Sequence, residues 1–280
     1  MTLDMQKLRD QVRKSFEIKK RNPNVVCLGD EDLLPPDFIS APEPIQDLLG
    51  LDGYPICRLT MISGKPDSGK TTLGMLALVE AQKKGYIGIL VDTEKKFDFE
   101  RFRKMGGNPE ELGKIVGETI EDGFVGLNTW LETIYSQDSE SKVFIVWDSI
   151  GGTPTKAEIQ AEADESIQLA TAAKVIKKNL RVFVQRFSTQ NIGMLMINQM
   201  YANIGSHGYT NSGGDGPDYY STIILQLQRV GHYQVQEKGI KYKAGIDTMA
   251  TVTKNHLLRG EKTLYKVKFR VKAYEVEKLK

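Results

Sequence analysis

Five short apolar runs recur along the chain: RLTMI (58–62), YIGILVD (86–92), KVFIVWD (142–148), IGMLMIN (192–198) and TIILQLQ (222–228). They are rich in aliphatic residues and mostly lack strict polar alternation, the pattern of strands buried on both faces. Between them, apolar positions recur three and four residues apart around 71–84, 98–106, 124–136 and 166–188, which predicts helices. Strand alternating with helix predicts an α/β fold, a mostly parallel sheet sandwiched by helices. After residue 228 the pattern changes to polar alternation in YQVQEKGIKYK, TMATVTKN and TLYKVKFRVKAYEV, which predicts an antiparallel extension at one sheet edge.

The ends read differently from the middle. Met5, Leu8, Val12 and Phe16 fall at helical spacing among charges, so an amphipathic helix that needs a partner surface is expected there. A stretch broken by Pro35, Pro36, Pro42 and Pro44 follows. The expected organisation is an N-terminal helix and linker over 1–34 and one core over 35–280. At 280 residues the chain is long enough for one large α/β domain.

Charge and cysteine content narrow the class. The formal net charge of +2 excludes a polycation, yet residues 1–21 hold seven Lys or Arg against three acids and residues 251–280 hold nine against three. Cys27 and Cys57 form neither a metal spacing nor a disulfide framework. The charged start and short apolar runs show neither signal peptide nor membrane span, so a soluble cytoplasmic protein without membrane partners is expected.

The most specific chemistry follows the first strand. Gly64, Lys65, Pro66, Asp67, Ser68, Gly69, Lys70 and Thr71 fit G-x-x-x-x-G-K-[ST], with Thr72 continuing into the helix. Such a loop curls successive backbone N–H groups around an anion at a helix N-terminus. Gly64 and Gly69 permit the close approach, Lys70 can reach the β- and γ-phosphates, and the Thr71 hydroxyl can join the shell of a Mg²⁺ ion. A nucleoside triphosphate and Mg²⁺ are the expected cofactors.

Three strand ends supply candidate partners. Asp148, at the end of KVFIVWD, is placed to hold Mg²⁺, because ligands of such sheets sit outside the carboxyl ends of the strands. Glu94, just after ILVD, is the candidate general base, since hydrolysis needs a carboxylate that polarises water near the γ-phosphate. Gln199, after MLMIN, can hydrogen-bond the γ-phosphate or attacking water, and a glycine-rich segment begins immediately after it.

That segment, MYANIGSHGYTNSGGDGPDYY, interleaves Tyr201, Asn203, Tyr209, Asn211, Gly213 and Gly214 with further tyrosines. Amides and glycines can follow a nucleic-acid backbone while aromatic rings stack on bases. The segment carries little positive charge. Lys174, Lys177 and Lys178, with Arg181, share one side of a predicted helix and can neutralise phosphates.

Together these stretches resemble the RecA family of DNA-strand-exchange ATPases over roughly residues 35–272. The resemblance is carried by FISAPEPIQDLLGLDGYPICRLTMISGKPDSGKTTL, VDTEKKFD, VFIVWDSIGGTPTKAEIQAE, MINQM and TNSGGDGPDYYSTIILQLQR, while RVFVQRFSTQNIGMLMIN is similar to the phage UvsX branch. It implies a RecA-like P-loop ATPase core with an N-terminal polymerisation helix. The implied protein is a DNA-dependent ATPase that forms helical filaments on single-stranded DNA and pairs and exchanges it with a homologous duplex. Partners in such a family include the protein itself, single-strand-binding proteins and mediators, in the host cytoplasm if the chain is phage-encoded.

The resemblance also implies roles for particular residues. Lys70 and Thr71 match the phosphate and Mg²⁺ residues, Glu94 the catalytic glutamate, Asp148 the metal aspartate and Gln199 the γ-phosphate sensor. DNA loops are implied at about 155–167 and 200–218. Lys254 and His256 match two basic residues that reach the γ-phosphate of a neighbouring subunit. His256 departs from that basic pattern, and Arg101 stands where a bacterial relative stacks a tyrosine on adenine. Alternatives are a hexameric helicase that shares the core ATPase fold, a recombinase paralogue acting as loader or regulator, and a small-molecule P-loop kinase.

Overall fold

The computed structural model describes residue 7 and residues 37–161, 170–202, 209–257 and 264–279. The chain divides into two compact units, 1–36 and 37–280. The expected N-terminal helix lies outside the described residues, as do Asn203 and residues 162–167 of the first implied DNA loop.

The second unit begins with β1 (Phe38–Ser40), α1 (Glu43–Leu49) and β2 (Gly53–Pro55), in which β1 and β2 pair antiparallel. Then follow β3 (Leu59–Gly64), α2 (Lys70–Lys83), β4 (Ile87–Asp92), α3 (Phe99–Lys104), β5 (Leu112–Ile115), α4 (Ile120–Gln137) and β6 (Lys142–Asp148). Next come α5 (Lys156–Gln160), α6 (Ala170–Phe183), β7 (Asn191–Ala202), β8 (Tyr209–Asn211), α7 (Asp215–Tyr220), β9 (Ile223–Glu237), β10 (Ile240–Asn255), β11 (Lys266–Lys272) and β12 (Val276–Lys278).

The main sheet runs β12-β11-β10-β9-β3-β7-β6-β4-β5, with β8 paired to β7. The neighbours from β9 to β5 are parallel, and β9 through β12 are antiparallel. The expected α/β class and antiparallel edge are both present. β5 carries no run among those predicted, because LGKI is four residues long with a glycine and a lysine. Of the helix predicted over 166–188, residues 166–169 lie outside the described residues and the rest is α6 followed by a 3₁₀ segment at Val184–Ser188.

Alternation along the strands divides the core into two layers. Phe144 and Val146 of β6 join Ile62, Leu90, Leu195 and Ile197 beneath α2. Val143, Ile145 and Trp147 face the other way with Met61, Ile89, Val91, Met194 and Met196, beneath α4 and α6. Because both faces are covered, the strands carry the apolar runs seen in the sequence, and their polar ends emerge only at the carboxyl edge. Register fixes what meets there: Gly64 lies opposite Gln199, and Asp92 opposite Asp148. Among the described residues no helix is long and apolar enough to cross a membrane.

Candidate functional site

The phosphate loop forms where β3 turns into α2. Gly69 caps α2 with φ 94°, and a Cβ on Gly64 would stand 2.4 Å from the Leu227 carbonyl oxygen of the neighbouring β9. Both positions therefore require glycine. Ser68 braces the loop by donating to Lys65 O at 2.9 Å, and Thr248 of β10 donates to Ser68 O at 3.2 Å. The Lys70 ammonium folds back over the cradle, 2.9 Å from Gly64 O and 2.8 Å from Lys65 O. Burial lowers the Lys70 pKa, opposed by the charges of Asp148, Glu94 and Asp67.

Opposite the loop stand the expected carboxylates. Thr71 Oγ1 donates to Asp148 Oδ2 at 2.6 Å. Burial pushes the Asp148 carboxyl up to about 6; the Thr71 hydrogen bond and Lys70 act against the rise, and Glu94 and Asp92 add to it. A hydroxyl and a carboxylate side by side are hard oxygen donors suited to Mg²⁺, which keeps waters and phosphate oxygens in the rest of its shell. Among the described residues no cluster of three or more His, Cys, Asp or Glu could hold a metal alone. The donor set thus fits an ion completed by a bound phosphate.

Glu94 lies beside this pair. Its Oε1 accepts from Ser149 Oγ at 2.5 Å and from Gln199 Nε2 at 2.7 Å, and its Oε2 accepts from Lys96 Nζ at 3.1 Å. Burial tends to raise its pKa, yet hydrogen bonds from Ser149, Lys96 and Gln199 outweigh that and hold it below the ordinary value. The Gln199 side chain is held from both ends, because Tyr201 OH donates to its Oε1 at 3.0 Å. Ser212 N donates to Gln199 O at 2.9 Å and Asn198 Nδ2 to Ser212 O at 2.9 Å, so the base is bonded through β7 to the segment after β8. Neither Ser149 nor Lys96 stands out in the sequence, since a serine and a lysine after strands carry no distinctive signal.

A cleft of about 490 Å³ opens beside the loop, lined by Asp67–Thr72, Arg101, Lys243–Ile246 and Val271–Ala273. Arg101 is fixed in its wall: Nε donates to Ala273 O at 2.6 Å, and an Nη donates to Thr72 Oγ1 at 2.7 Å. The cleft is large enough for a nucleoside next to the phosphate cradle. Its β10 and β11 walls escaped sequence reasoning because they are distant in the chain and carry no motif.

The remaining candidates lie on α6 and on β8 and the turn after it. Lys174, Lys177, Lys178 and Arg181 of α6 and Tyr220 of α7 line a groove of about 260 Å³. Lys177 is engaged by Asp215 at 2.8 Å, whereas Lys174 and Lys178 have no ion pair among the described residues. Asn211 Nδ2 donates to Asp218 Oδ1 at 2.6 Å, and a Cβ on Gly213 or Gly214 would press on Ile176 or Ala173 of α6. In this structure those three positions close the junction between α6 and α7. Tyr209 begins β8, where Ala202 pairs with it.

Lys254 and His256 are not brought to the phosphate loop of their own chain. Lys254 pairs with Ile224 of β9, which lies beside Met61, three residues before the end of β3 that meets the loop. Its ammonium donates to Asp218 O at 2.7 Å and Tyr219 O at 3.1 Å at the end of α7, and His256 is exposed. Neither residue lines the cleft beside the loop of its own chain.

A family profile described as "RecA N-terminal domain" matches residues 6–266. The chain is 30% identical over 210 residues to the protein named Protein RecA of Chlorobaculum parvum, covering 74% of this chain and 57% of that protein. It is 27% identical over 259 residues to Protein RecA of Zymomonas mobilis, covering 91% and 70%. To Protein RecA of Nitratiruptor sp. it is 29% identical over 260 residues, covering 91% and 72%.

Proposed function

The chain belongs to the RecA N-terminal domain family, and from that membership and the geometry of the site we propose that it is an ATP-dependent homologous recombinase. It assembles as a helical filament on single-stranded DNA and catalyses pairing and strand exchange with a homologous duplex. The observation that carries this reading is the Glu94–Gln199 hydrogen bond at 2.7 Å, which joins the candidate base to the strand entering the glycine-rich segment. A plain nucleotide hydrolase has no need of that link; an ATPase governed by DNA does.

In this proposal the loop N–H groups and Lys70 hold the β- and γ-phosphates. Thr71 and Asp148 hold Mg²⁺, which supplies charge neutralisation at the transferring phosphoryl group. Glu94 takes the proton of the attacking water, and Arg101 lines the base end of the cleft. Lys254 and His256 reach the site from a neighbouring protomer, which makes turnover depend on assembly. Nucleic acid runs along the surface bearing Lys174, Lys178, Tyr201 and the glycine-rich segment, contacted through backbone and stacking while sequence is read by base pairing. Residues 1–34 serve as the oligomerisation element and 35–280 as the ATPase core. The stretch 181–198 supports placing the chain in the phage UvsX branch, with work in the host cytoplasm alongside single-strand-binding and mediator proteins.

Negative-stain microscopy with single-stranded DNA and a non-hydrolysable ATP analogue, paired with a strand-exchange assay, tests the proposal. Open helical filaments and joint molecules are expected. Closed rings with directional unwinding would favour a helicase, and discrete monomers under saturating DNA would refute the recombinase reading.

A further inference from the structure

Gln199 and Tyr201 lie two apart on β7 and so share one face of the strand. The Tyr201 hydroxyl donates to Gln199 Oε1 at 3.0 Å, leaving Nε2 turned to Glu94 Oε1 at 2.7 Å and Ser149 Oγ at 3.3 Å. An amide oxygen only accepts and an amide nitrogen only donates, so flipping the amide would set two acceptors against each other at Glu94. Gln199 is thus held in the one orientation that caps the carboxylate.

The cap matters because Glu94 is crowded with donors. Oε1 already accepts from Ser149 and Gln199, and Oε2 from Lys96. A carboxylate oxygen offers about two lone-pair sites, so Oε1 has none left for a water proton, while Oε2 keeps one beside the exposed Lys96. Meanwhile the Tyr201 residue is 53% exposed on the strand that leads into the glycine-rich segment. A base stacked on that ring gains more than one exposed hydrogen bond holds, so stacking can draw the hydroxyl away from Gln199.

We propose that Tyr201 is a positioning residue that keeps Glu94 capped in the DNA-free protein, its hydroxyl fixing Gln199 on the carboxylate and its ring releasing that hold when a base stacks. This latch rests on the hydrolytic reading of the site and gives its DNA dependence a physical cause. No covalent step is involved: the Tyr201–Gln199 hydrogen bond is exchanged for a stacking contact, the unanchored Gln199 amide then turns off Glu94 with loss of its own hydrogen bond, and Glu94 Oε1 becomes free to accept a proton from water.

The test measures ATP turnover of the full chain with and without poly(dT), and binding of a labelled dT oligonucleotide, for the parent, Tyr201→Phe and Tyr201→Trp. Both variants keep a stacking face and lose the phenolic donor. In both, DNA-free turnover is expected to rise roughly two- to ten-fold, the range over which one exposed hydrogen bond shifts an equilibrium, and the stimulation ratio to fall by the same factor. Oligonucleotide affinity is expected to stay within about two-fold, because stacking is retained. A merely structural role for Tyr201 would lower turnover under both conditions. Unchanged or reduced DNA-free turnover in both variants overturns the latch. A parent whose ATPase ignores DNA overturns the recombinase reading and the releasing role of stacking, while the DNA-free rates still decide the cap; a parent without ATPase overturns both.

Discussion

The Thr71 hydroxyl donates to Asp148 Oδ2 across 2.6 Å, tying the first turn of α2 to the end of β6. Burial raises the Asp148 carboxyl to about 6. A carboxyl whose folded value exceeds its unfolded one stabilises the fold below the unfolded value, near 3.8, and loses that contribution as pH rises through about 6. The metal-free, nucleotide-free protein is therefore expected to melt higher at pH 5 than at pH 7. Asp148→Asn should remove the dependence, stabilising the apo protein at pH 7 by up to about 3 kcal/mol while weakening Mg²⁺-dependent nucleotide binding. Thermal melts at both pH values with and without Mg²⁺-ATP check both signs.

Glu94→Gln keeps the size and some hydrogen-bonding capacity of the side chain but removes the proton acceptor. Turnover should fall about 10²- to 10⁴-fold while nucleotide affinity stays near that of the parent. Single-turnover hydrolysis alongside equilibrium binding of a fluorescent ATP analogue separates the two; undiminished hydrolysis would remove Glu94 from the reaction.

Arg101 bridges Thr72 and Ala273 across the wall of the cleft. Arg101→Ala takes away two hydrogen bonds and the stem that lines the base end, so the KM for ATP should rise several-fold with less effect on kcat. Competition by GTP and CTP should increase in the same variant. An unchanged KM would place the base elsewhere.

A methyl group at Gly64 would stand 2.4 Å from Leu227 O, a backbone atom of the paired strand. Gly64→Ala must push β3 from β9 or distort the loop, at a cost of about 1–3 kcal/mol. Lower thermal stability together with loss of nucleotide binding is expected, read by calorimetry and by isothermal titration with ATP.

The Lys254 ammonium is turned to the end of α7 and not to Lys70 of its own chain. If the two meet across a protomer interface, Lys70→Ala and Lys254→Ala proteins should each be inactive yet regain activity on mixing. In a random equimolar assembly about a quarter of the interfaces combine an intact Lys70 with an intact Lys254. A mixture that stays at the level of its components would rule out the shared site.

Much of this was readable from local pattern. Val143–Trp147 reads as a strand because both its faces are buried, and the phosphate loop reads from Gly64 to Thr71 because its chemistry is confined to eight consecutive residues. Glu94, Asp148 and Gln199 stood out because each ends or closely follows such a strand. β5 did not, since four residues with a glycine and a lysine at a sheet edge generate too little periodicity.

The sequence by itself determined the alternation of strands and helices, the phosphate cradle and the polar residues at the strand ends, because period, turn chemistry and loop geometry act over a few residues. Only the tertiary structure decided which strand ends meet. The order β3-β7-β6-β4 sets Gly64 beside Gln199 and Asp92 beside Asp148, and it brings Ser149 and Gln199 onto Glu94. It also occupied Lys177 with Asp215 and Asn211 with Asp218, and built the far wall of the cleft from β10 and β11. Such contacts join residues far apart in the chain. They depend on how crossover helices and the two buried faces order the whole sheet, and no local period encodes that order.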